Sequence, residues 1–281
     1  MGSSVTIDLS GVPETMLWPL WNRAAEQQRR DRLIDDPLAA ELVSRLDIDL
    51  AGTFGKPSVL HAIRARVCDN LVRAYLAAHP GGSVVALGEG LETQFWRVAD
   101  HGCRWISVDV AEAAQLRRTL LPDSPQITTI ACSALDPAWM DAVPAGTPPF
   151  ISAAGLLMYF DEGAVLNLLA AIARRFPGAQ LFFDTIPPGF SRRTLSGYKV
   201  TRRYTAPPMP WGISIGHIPA FLTGAGGWET VSARTYAEPV PHRTPLLALL
   251  GRIRFAREAL APALVHARTS EAAGVTASGA A

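Results

Sequence analysis

The chain has 281 residues, is 48% hydrophobic and carries a formal net charge of +1. This length and composition predict one large α/β domain with elaborations rather than two independent domains, and the balanced charge does not indicate a nucleic-acid partner. The cysteines, Cys68, Cys103 and Cys132, are far apart, which argues against a disulfide framework or a metal knuckle and fits a reducing compartment. With no signal-peptide pattern and no apolar stretch long enough to cross a bilayer, we expect a cytoplasmic protein without a membrane partner.

The first part of the chain predicts helices, marked by their amphipathic spacing and by prolines near their starts. They cover Glu14–Arg30, Asp36–Arg45 and Ser58–Ala78. Trp18 and Trp21 lie in the first helix, where their rings either pack onto the domain or line a substrate pocket, since pockets are mostly apolar and aromatic. Arg64 and Arg73, in the third helix, are expected to be solvated, although one arginine of this helix could still reach a site above the sheet.

From Ser83 onward, short apolar runs alternate with helical segments. The predicted strands are Val84–Leu87, Trp105–Val108, Ile127–Ala131, Phe150–Ala154 and Gln180–Asp184, and the predicted helices include Leu91–Ala99, Ala113–Leu120 and Glu162–Arg175. Such alternation is typical of a parallel sheet with helices on both faces. Ligands of these sheets bind outside the carboxyl ends of the strands, so the functional site is expected there.

The strongest local signal is the turn Gly88-Glu89-Gly90 between the first strand and the helix that follows. Glycines let a backbone approach a ligand closely. Asp109 stands 19 positions after Gly90, at the end of the second strand, where an acid can bind ribose hydroxyls. The pair indicates an adenosine cofactor, either NAD or S-adenosylmethionine (SAM). Thr93 occupies the place of the third glycine of the NAD fingerprint, which weakens the NAD interpretation.

The last third of the chain is less regular. The proline-rich segment Pro187–Gly216 predicts a lid or binding loop, because long connections inside a compact domain are usually functional. A helix is predicted at Ile218–Ala225, strands at Trp228–Thr235 and Ala263–Arg268, and one amphipathic helix at Leu246–Leu260. The small, polar residues 269–281 are expected to be a disordered tail.

Several motifs in the same order resemble the leucine carboxyl methyltransferase group, which includes polyketide O-methyltransferases. LGEGLETQFWR (Leu87–Arg97) is similar to LGAGLDTRxxR, VDVAE (Val108–Glu112) to VDLPE, and SAAGLLMYF (Ser152–Phe160) to AEGLLMYL. SALDPAWMDAV (Ser133–Val143) and the N-terminal ETMLWPLWNRA also resemble this group. The resemblance extends from about Glu14 to Trp228, and several ordered motifs are more specific than one glycine turn.

This resemblance implies a class I SAM-dependent methyltransferase, with a Rossmann-like, mostly parallel seven-stranded sheet and helices on both faces. The sheet would end in an antiparallel hairpin, for which Trp228–Thr235 and Ala263–Arg268 are the candidate strands. An N-terminal helical cap would occupy residues 1–80, and the SAM-binding core residues 81–268, with the lid insertion at about 187–216. The cofactor would be SAM, its product S-adenosylhomocysteine (SAH), and no metal is expected.

The resemblance also implies roles for individual residues. Gly88 and Gly90 would pass the methionine part of SAM, and Asp109 would hold the ribose. Ser133, Ala134 and Leu135 would border the adenine. Arg66 matches the arginine that binds the SAM carboxylate, and Arg23 matches a second basic residue less closely; a guanidinium suits a carboxylate because it can bind both oxygens. Ala154 stands where many members have Glu, and Glu89, where Ala is usual, could supply that charge to the SAM amine.

Candidates for catalysis and acceptor binding come mostly from the lid region. His217 and Tyr204 are the candidate catalytic residues, with a structural or solvated His217 as the alternative. The candidate acceptor-binding residues, for which core packing is the alternative, are Trp18, Trp21, Tyr159, Met209 and Trp211. His61 and His101 are interpreted as packing or surface residues. A carboxylate acceptor needs no base, whereas a phenol, with a pKa of about 10, would benefit from one.

The resulting hypothesis is a SAM-dependent O-methyltransferase that acts on a carboxylate or hydroxyl of a small, polyketide-like or aromatic secondary metabolite. The alternatives are an NAD(P)-dependent oxidoreductase and a catalytically inactive SAM-fold protein that binds a partner. The substitutions at Glu89, Glu92 and Ala154 keep the last alternative open. The expected partner is a small molecule, and the oligomeric state is expected to be a monomer or a homodimer.

Overall fold

The computed structural model of the protein describes residues 15–98 and 102–270. Four helices precede the sheet: α1 (Leu17–Gln27), α2 (Pro37–Arg45), α3 (Leu50–Phe54) and α4 (Leu60–Ala78). Asp36 caps α2 because its side chain accepts a hydrogen bond from the Ala39 N–H. The beginning of the predicted first helix at Glu14, His101 and tail residues 271–281 lie outside the described residues. None of the described helices is long and apolar enough to cross a membrane.

The remaining elements alternate as predicted. They are β1 (Ser83–Leu87), α5 (Gln94–Val98), β2 (Arg104–Asp109), α6 (Ala111–Leu120), β3 (Ile127–Ala131), β4 (Phe150–Ala153), α7 (Glu162–Arg175), β5 (Gln180–Thr185), α8 (Pro188–Leu195), α9 (Ile218–Gly224), β6 (Glu229–Thr235), α10 (Pro245–Leu250), α11 (Arg254–Leu260) and β7 (Ala263–Arg268). Short 3-10 helices cover Pro137–Ala142, Leu157–Tyr159, Ile215–His217 and Pro241–Arg243.

The strands form one seven-stranded sheet in the order β3-β2-β1-β4-β5-β7-β6. The pairs from β3 to β5 are parallel, and β7 runs antiparallel to both β5 and β6. This confirms the predicted class I methyltransferase fold, including its antiparallel final strands. The strand order reverses between β1 and β4, and such a switch point opens a crevice at the carboxyl ends of the strands.

The sheet is covered by apolar side chains on both faces. All five residues of β1 are buried. Val84 and Ala86 pack in the cluster that contains α4, whereas Val85 and Leu87 pack in the cluster that contains α7. Successive strand residues point to opposite faces, so an uninterrupted apolar run such as SVVAL is suited to a strand that is buried on both sides.

Three elements differ from the sequence-based expectation. The helix predicted at Leu91 begins at Gln94, because the Leu91 carbonyl accepts a hydrogen bond from Arg23 instead of a helical N–H. The helix predicted at Leu246–Leu260 is divided into α10 and α11, with Gly251 directly after α10. The lid region contains a helix, α8, that was not predicted because this segment is rich in prolines and glycines.

A buried ionic network joins the N-terminal helices to the segment after the glycine turn. Arg97 binds both carboxylate oxygens of Asp69, at 2.8 and 2.9 Å. It also lies 2.8 Å from Asp36 and 2.7 Å from Glu92. Arg23 contacts the same Asp36 at 3.1 Å and the same Glu92 at 2.8 Å. Two guanidinium groups and three carboxylates therefore hold α1, α2 and α4 against α5.

The network compensates charges that would otherwise be costly to bury. The side chain of Arg97 is 4% exposed, and those of Asp36 and Asp69 are 1% and 3% exposed. Burial alone would raise the pKa of Glu92, but the facing Arg23 and Arg97 outweigh it and lower the pKa to about 2. Removing one partner of such a network leaves uncompensated charge inside the protein.

We predict that Arg97→Met lowers the free energy of unfolding by about 3–5 kcal/mol, because it leaves the buried Asp36 and Asp69 without their shared cation. The matched control is Arg268→Met, whose ion pair with Glu229 is exposed and contributes about 1 kcal/mol or less. Urea denaturation followed by circular dichroism measures both changes. Equal small losses in the two variants would contradict the structural role of the network.

The lowered pKa of Glu92 also predicts a pH dependence. The Glu92 carboxylate stabilises the folded state above its unfolded pKa of 4.5, and this contribution is lost as the pH falls toward about 2. The difference in free energy of unfolding between the wild type and Glu92→Gln is therefore expected to be largest near neutral pH and to shrink below pH 4.5. Denaturation curves at a series of pH values would disprove this if the difference stayed constant.

Candidate active site

A cavity of about 450 Å³ lies outside the carboxyl ends of the parallel strands. Its floor is formed by the residues that follow β1, β2, β4 and β5, and its wall by the face of α4 that carries His61, Arg64 and Cys68. Residues of α1 and of the segment after α8 close it from above. The cavity occupies the position that the strand order predicts for a ligand.

The glycine turn forms one end of the cavity. Gly88 and Gly90 have positive φ angles of 60° and 51°, which glycine adopts without a steric cost. A Cβ at Gly88 would lie 2.6 Å from a methyl carbon of Leu156, and one at Gly90 would lie 2.9 Å from the Cβ of Met16. The turn therefore requires glycine at both positions and presents bare backbone to the cavity.

Asp109 at the end of β2 is joined to this turn. One of its carboxylate oxygens accepts a hydrogen bond from the Gly90 N–H at 2.7 Å, and the other accepts from the Val110 N–H at 2.8 Å. Burial raises the pKa of Asp109, although these two hydrogen bonds oppose the rise. The carboxylate lines the cavity and keeps lone pairs available for the hydroxyl groups of a ligand.

Glu89 lines the cavity and is also bound by residues of the protein. Its carboxylate forms an ion pair with Arg117 at 2.9 Å and accepts a hydrogen bond from the indole N–H of Trp105 at 3.1 Å. Arg117 also donates to the carbonyls of Gly90 and Glu92, at 2.6 and 2.9 Å. This pair braces the glycine turn, and the contact of Glu89 with the SAM amine stays a prediction.

The arginine predicted to contact the cofactor carboxylate does not reach the cavity. Arg66 is exposed on the outer face of α4 and does not line the cavity. Arg64 lines it and pairs with Asp184 at 3.1 Å. Residues two apart on a helix lie about 200° apart around its axis, so only one of the two arginines can face the sheet. The expectation that Arg64 is solvated is likewise wrong.

Asp184, at the end of β5, is shared by three partners, one of which is the Gly155 backbone N–H at 2.5 Å. Asp184 also accepts hydrogen bonds from Arg64 and, at 2.7 Å, from the hydroxyl of Tyr236. Burial and the neighbouring Asp184 raise the pKa of Tyr236 well above 10, although Arg64 opposes them. The guanidinium of Arg64 is thereby oriented along the cavity wall with part of its donor set still available.

Arg23 reaches the cavity but already has partners for three of its nitrogens. These partners are Asp36, Glu92 and the Leu91 carbonyl. Its side chain is 2% exposed. Arg23 therefore connects α1 to the segment after the glycine turn.

Aromatic side chains also line the cavity. The rings of Trp18 and Tyr204 meet edge to face at 5.8 Å, and Tyr159 and Met209 also line the space. Two predicted pocket residues lie elsewhere. Trp21 does not line the cavity and donates to the Gly55 carbonyl. Trp211 is 2% exposed and packs against the ring of Phe221 in the main core.

Other predicted site residues are also separated from the cavity. His217 is exposed at the end of the 3-10 helix Ile215–His217, directly before α9, and interacts with Ser214. The residues predicted to border the adenine do not line the cavity; Ala134 is buried, and its carbonyl accepts a hydrogen bond from Trp139. Leu135 is 41% exposed, and Ser133 caps the Leu135 N–H. Ala154 does line the cavity.

His61 lines the cavity, although the sequence analysis interprets it as a packing or surface residue. His61 precedes Arg64 by three positions and Cys68 by seven, which is the spacing of one helical face, and this periodicity could have revealed it. Burial and the nearby Arg64 lower the pKa of His61 well below 6.5. Burial raises the pKa of Cys68 to about 12. Neither side chain carries a charge at neutral pH.

Metal chemistry has no evident site in the described part of the chain. Among residues 15–98 and 102–270, no group of three His, Cys, Asp or Glu side chains is placed to hold an ion. The charged groups that line the cavity instead belong to ion pairs or to hydrogen bonds with backbone amides.

Comparison with known proteins supports a methyltransferase. The family model of leucine carboxyl methyltransferase matches residues 17–173, more than half of the chain. The chain is 32% identical over 211 residues to the tetracenomycin polyketide synthesis O-methyltransferase TcmP of Streptomyces glaucescens, covering 74% of this chain and 77% of that protein. It is 26% identical over 189 residues to the SAM-dependent methyltransferase dpfgK of Gibberella zeae, covering 60% of this chain and 63% of that protein.

The fold has a counterpart among solved structures. A candidate methyltransferase from Thermobifida fusca YX superposes with a TM-score of 0.56 at 17% identity, over 90% of this chain and 94% of the other. This similarity concerns the fold alone. Together with the sequence matches and the glycine turn at the switch point, it leads to one conclusion. The chain belongs to the leucine carboxyl methyltransferase family and is a SAM-dependent methyltransferase.

Proposed function

We propose that this protein is an O-methyltransferase that methylates a carboxylate or an acidic hydroxyl of a small aromatic, polyketide-like metabolite. The observation that carries this proposal is the cavity itself, which is lined by the glycine turn and by the aromatic residues Trp18, Tyr159 and Tyr204. Flat aromatic acceptors suit a pocket of this composition. The similarity to a polyketide O-methyltransferase supports oxygen as the acceptor atom.

The residues of the cavity fit SAM. Gly88 and Gly90 line the cavity without side chains of their own, Asp109 can accept hydrogen bonds from ribose hydroxyls, and Arg64 can bind a carboxylate. We assign the carboxylate contact to Arg64 in place of Arg66. When bound, SAM supplies a methyl group on a sulfonium, which is activated for in-line displacement.

The chain's own residues contribute enclosure and alignment. The cap helices and the segment after α8 exclude water, and holding two reactants in line can lower a barrier by several kcal/mol, up to about 7–11 in the best cases. Burial raises the pKa of the Cys68 thiol to about 12, so this thiol stays protonated at neutral pH. An acceptor that has already lost its proton, such as a carboxylate, suits this site. Tyr204 remains a proposed contact of the methyl acceptor. His217 is too exposed to contact the acceptor.

Two other functions make different predictions. An NAD(P)-dependent oxidoreductase would bind NADH, and a partner-binding protein without catalysis would bind SAH but form no methylated product. Family membership favours SAM over NAD, and the substitutions at Glu89 and Glu92 are used in ion pairs that stabilise the site. Calorimetry with SAH, and with NADH as the control ligand, distinguishes a methyltransferase from an oxidoreductase.

The acceptor class is tested by turnover with matched acceptors. Purified protein with SAM is expected to form SAH with aromatic carboxylic acids or acidic phenols and not with the corresponding aromatic amines. Mass spectrometry should find the new methyl group on oxygen. Methylation of the amines alone, or SAH binding without any turnover on the oxygen acceptors, would contradict the proposal.

We predict that Arg64→Met weakens SAH binding at least tenfold, because it removes a charge-assisted contact. Arg66→Met, two residues away on the exposed face, is the matched control and should leave the dissociation constant unchanged within about twofold. Isothermal titration calorimetry at one salt concentration measures both. A loss of affinity in Arg66→Met alone would return the assignment to Arg66.

The glycine turn makes a separate prediction. Gly90→Ala should weaken SAH binding at least about tenfold, because its Cβ would press on Met16 at the cavity edge. Gly146→Ala is the control for backbone strain, since Gly146 has a φ of 116° with no atom within 4 Å of an added Cβ. Both variants should lose some thermal stability. Equal SAH affinity in the two would show that the Gly90 turn does not contact the cofactor.

A further inference from the structure

Asn22 and His61 form a buried pair between the cap and the cavity wall. Asn22 lies in α1 and is 1% exposed, and His61 lies in the first turn of α4. The Asn22 Oδ1 accepts a hydrogen bond from the Ser58 backbone N–H at 3.0 Å. The Asn22 Nδ2 contacts His61 Nδ1. One asparagine side chain therefore connects the segment before α4 to the imidazole.

These contacts determine the tautomer of the imidazole. A backbone N–H can only donate, so the atom of Asn22 that faces Ser58 must be the carbonyl oxygen. The amide nitrogen, which can only donate, then faces His61 Nδ1. Nδ1 must accept this hydrogen bond, and in a neutral imidazole the proton consequently resides on Nε2.

His61 lines the cavity. Its second ring nitrogen, Nε2, has no hydrogen-bond partner among residues 15–98 and 102–270. The centroids of the His61 and Trp18 rings lie 5.5 Å apart. Arg64 lies one helical turn further along α4.

The charges around His61 keep it neutral. Arg64 from α4 and Arg23 from α1 oppose a positive charge on the ring, and Glu92 from the segment after the glycine turn favours it. Burial is the largest effect and, with the two arginines, lowers the pKa of His61 well below 6.5. An imidazole that is neutral and already protonated at Nε2 cannot accept a proton at the cavity side.

We propose that His61 is a fixed hydrogen-bond donor that positions the reacting oxygen of the methyl acceptor, with Asn22 as the residue that sets its tautomer. This inference rests on the proposed O-methyltransferase function and narrows the substrate class to acceptors that are ionised before they bind. A carboxylate or phenolate oxygen can accept the Nε2–H while a second lone pair attacks the methyl carbon. The C–O bond then forms as the C–S bond breaks, and the bonding electrons remain on sulfur.

The first test determines the tautomer without any acceptor. Long-range ¹H–¹⁵N correlation spectra of the full chain, assigned with His61→Gln, should show His61 with a protonated Nε2 and an unprotonated Nδ1 from pH 6 to pH 8. In Asn22→Asp, a carboxylate replaces the amide donor while the oxygen facing Ser58 is retained. The His61 proton should move to Nδ1 and its pKa should rise. A wild-type ring protonated at Nδ1, or doubly protonated at pH 7, overturns the inference.

The second test compares His61→Gln, which keeps a donor, with His61→Met, which has none. Both should bind SAH within about threefold of the wild type. His61→Met should raise the acceptor KM about tenfold or more, His61→Gln should recover part of this, and the pH profile of kcat should keep its shape in both. A pH limb that disappears in both variants identifies His61 as a base and overturns the inference.

The two tests separate this inference from the proposed function. A wild-type protein with the Nε2–H tautomer that methylates no oxygen acceptor contradicts the proposed function, and the positioning role of His61 fails with it. Methyl transfer to oxygen by a protein whose His61 is protonated at Nδ1 leaves the function in place and overturns this inference alone.

Discussion

The position of the N-terminal helices over the site depends on the ion pairs of the Arg97 guanidinium. This guanidinium binds both oxygens of Asp69 in α4 and reaches Asp36, the residue that caps α2. The N-terminal helices contribute no strand to the sheet, so side-chain contacts must position them. Glu92 and Arg23 join the same network. One group of paired charges therefore positions the N-terminal helices relative to the glycine turn. Thr93, which weakened the NAD interpretation, also belongs to this network through its hydrogen bonds to Asp36.

The strands of the sheet were predictable because a strand that is buried on both faces has an almost uninterrupted apolar sequence. β1 and β3 read as uninterrupted or β-branched runs, and the structure places them within one residue of the predicted positions. The strand β7 was predicted from the sequence with the bounds that the structure shows, and its antiparallel pairing was implied by the family resemblance. Gly88, Gly90 and Asp109 could be identified from the sequence. In folds of this class, the turn after the first strand and the acid at the end of the second strand are the positions that contact a nucleotide cofactor.

The site was less predictable because it depends on helical phase and on long-range pairing. Arg64 and Arg66 look alike in a sequence, and only the packing of α4 decides which one faces the cavity. The start of α5 at Gln94 depends on Arg23 and Arg117, which bind the carbonyls of residues 90–92 from distant elements. Trp211 belongs to the core although it lies in a segment rich in prolines. The role inferred for His61 depends on Asn22, 39 residues away.

The most direct test of this account is a crystal structure of the protein with SAH. The account predicts SAH in the cavity beneath α1, with its ribose at Asp109, its carboxylate at Arg64, and an open space beside Trp18 and the Nε2 of His61. SAH bound at Arg66, or outside the space enclosed by the cap and the glycine turn, would contradict it.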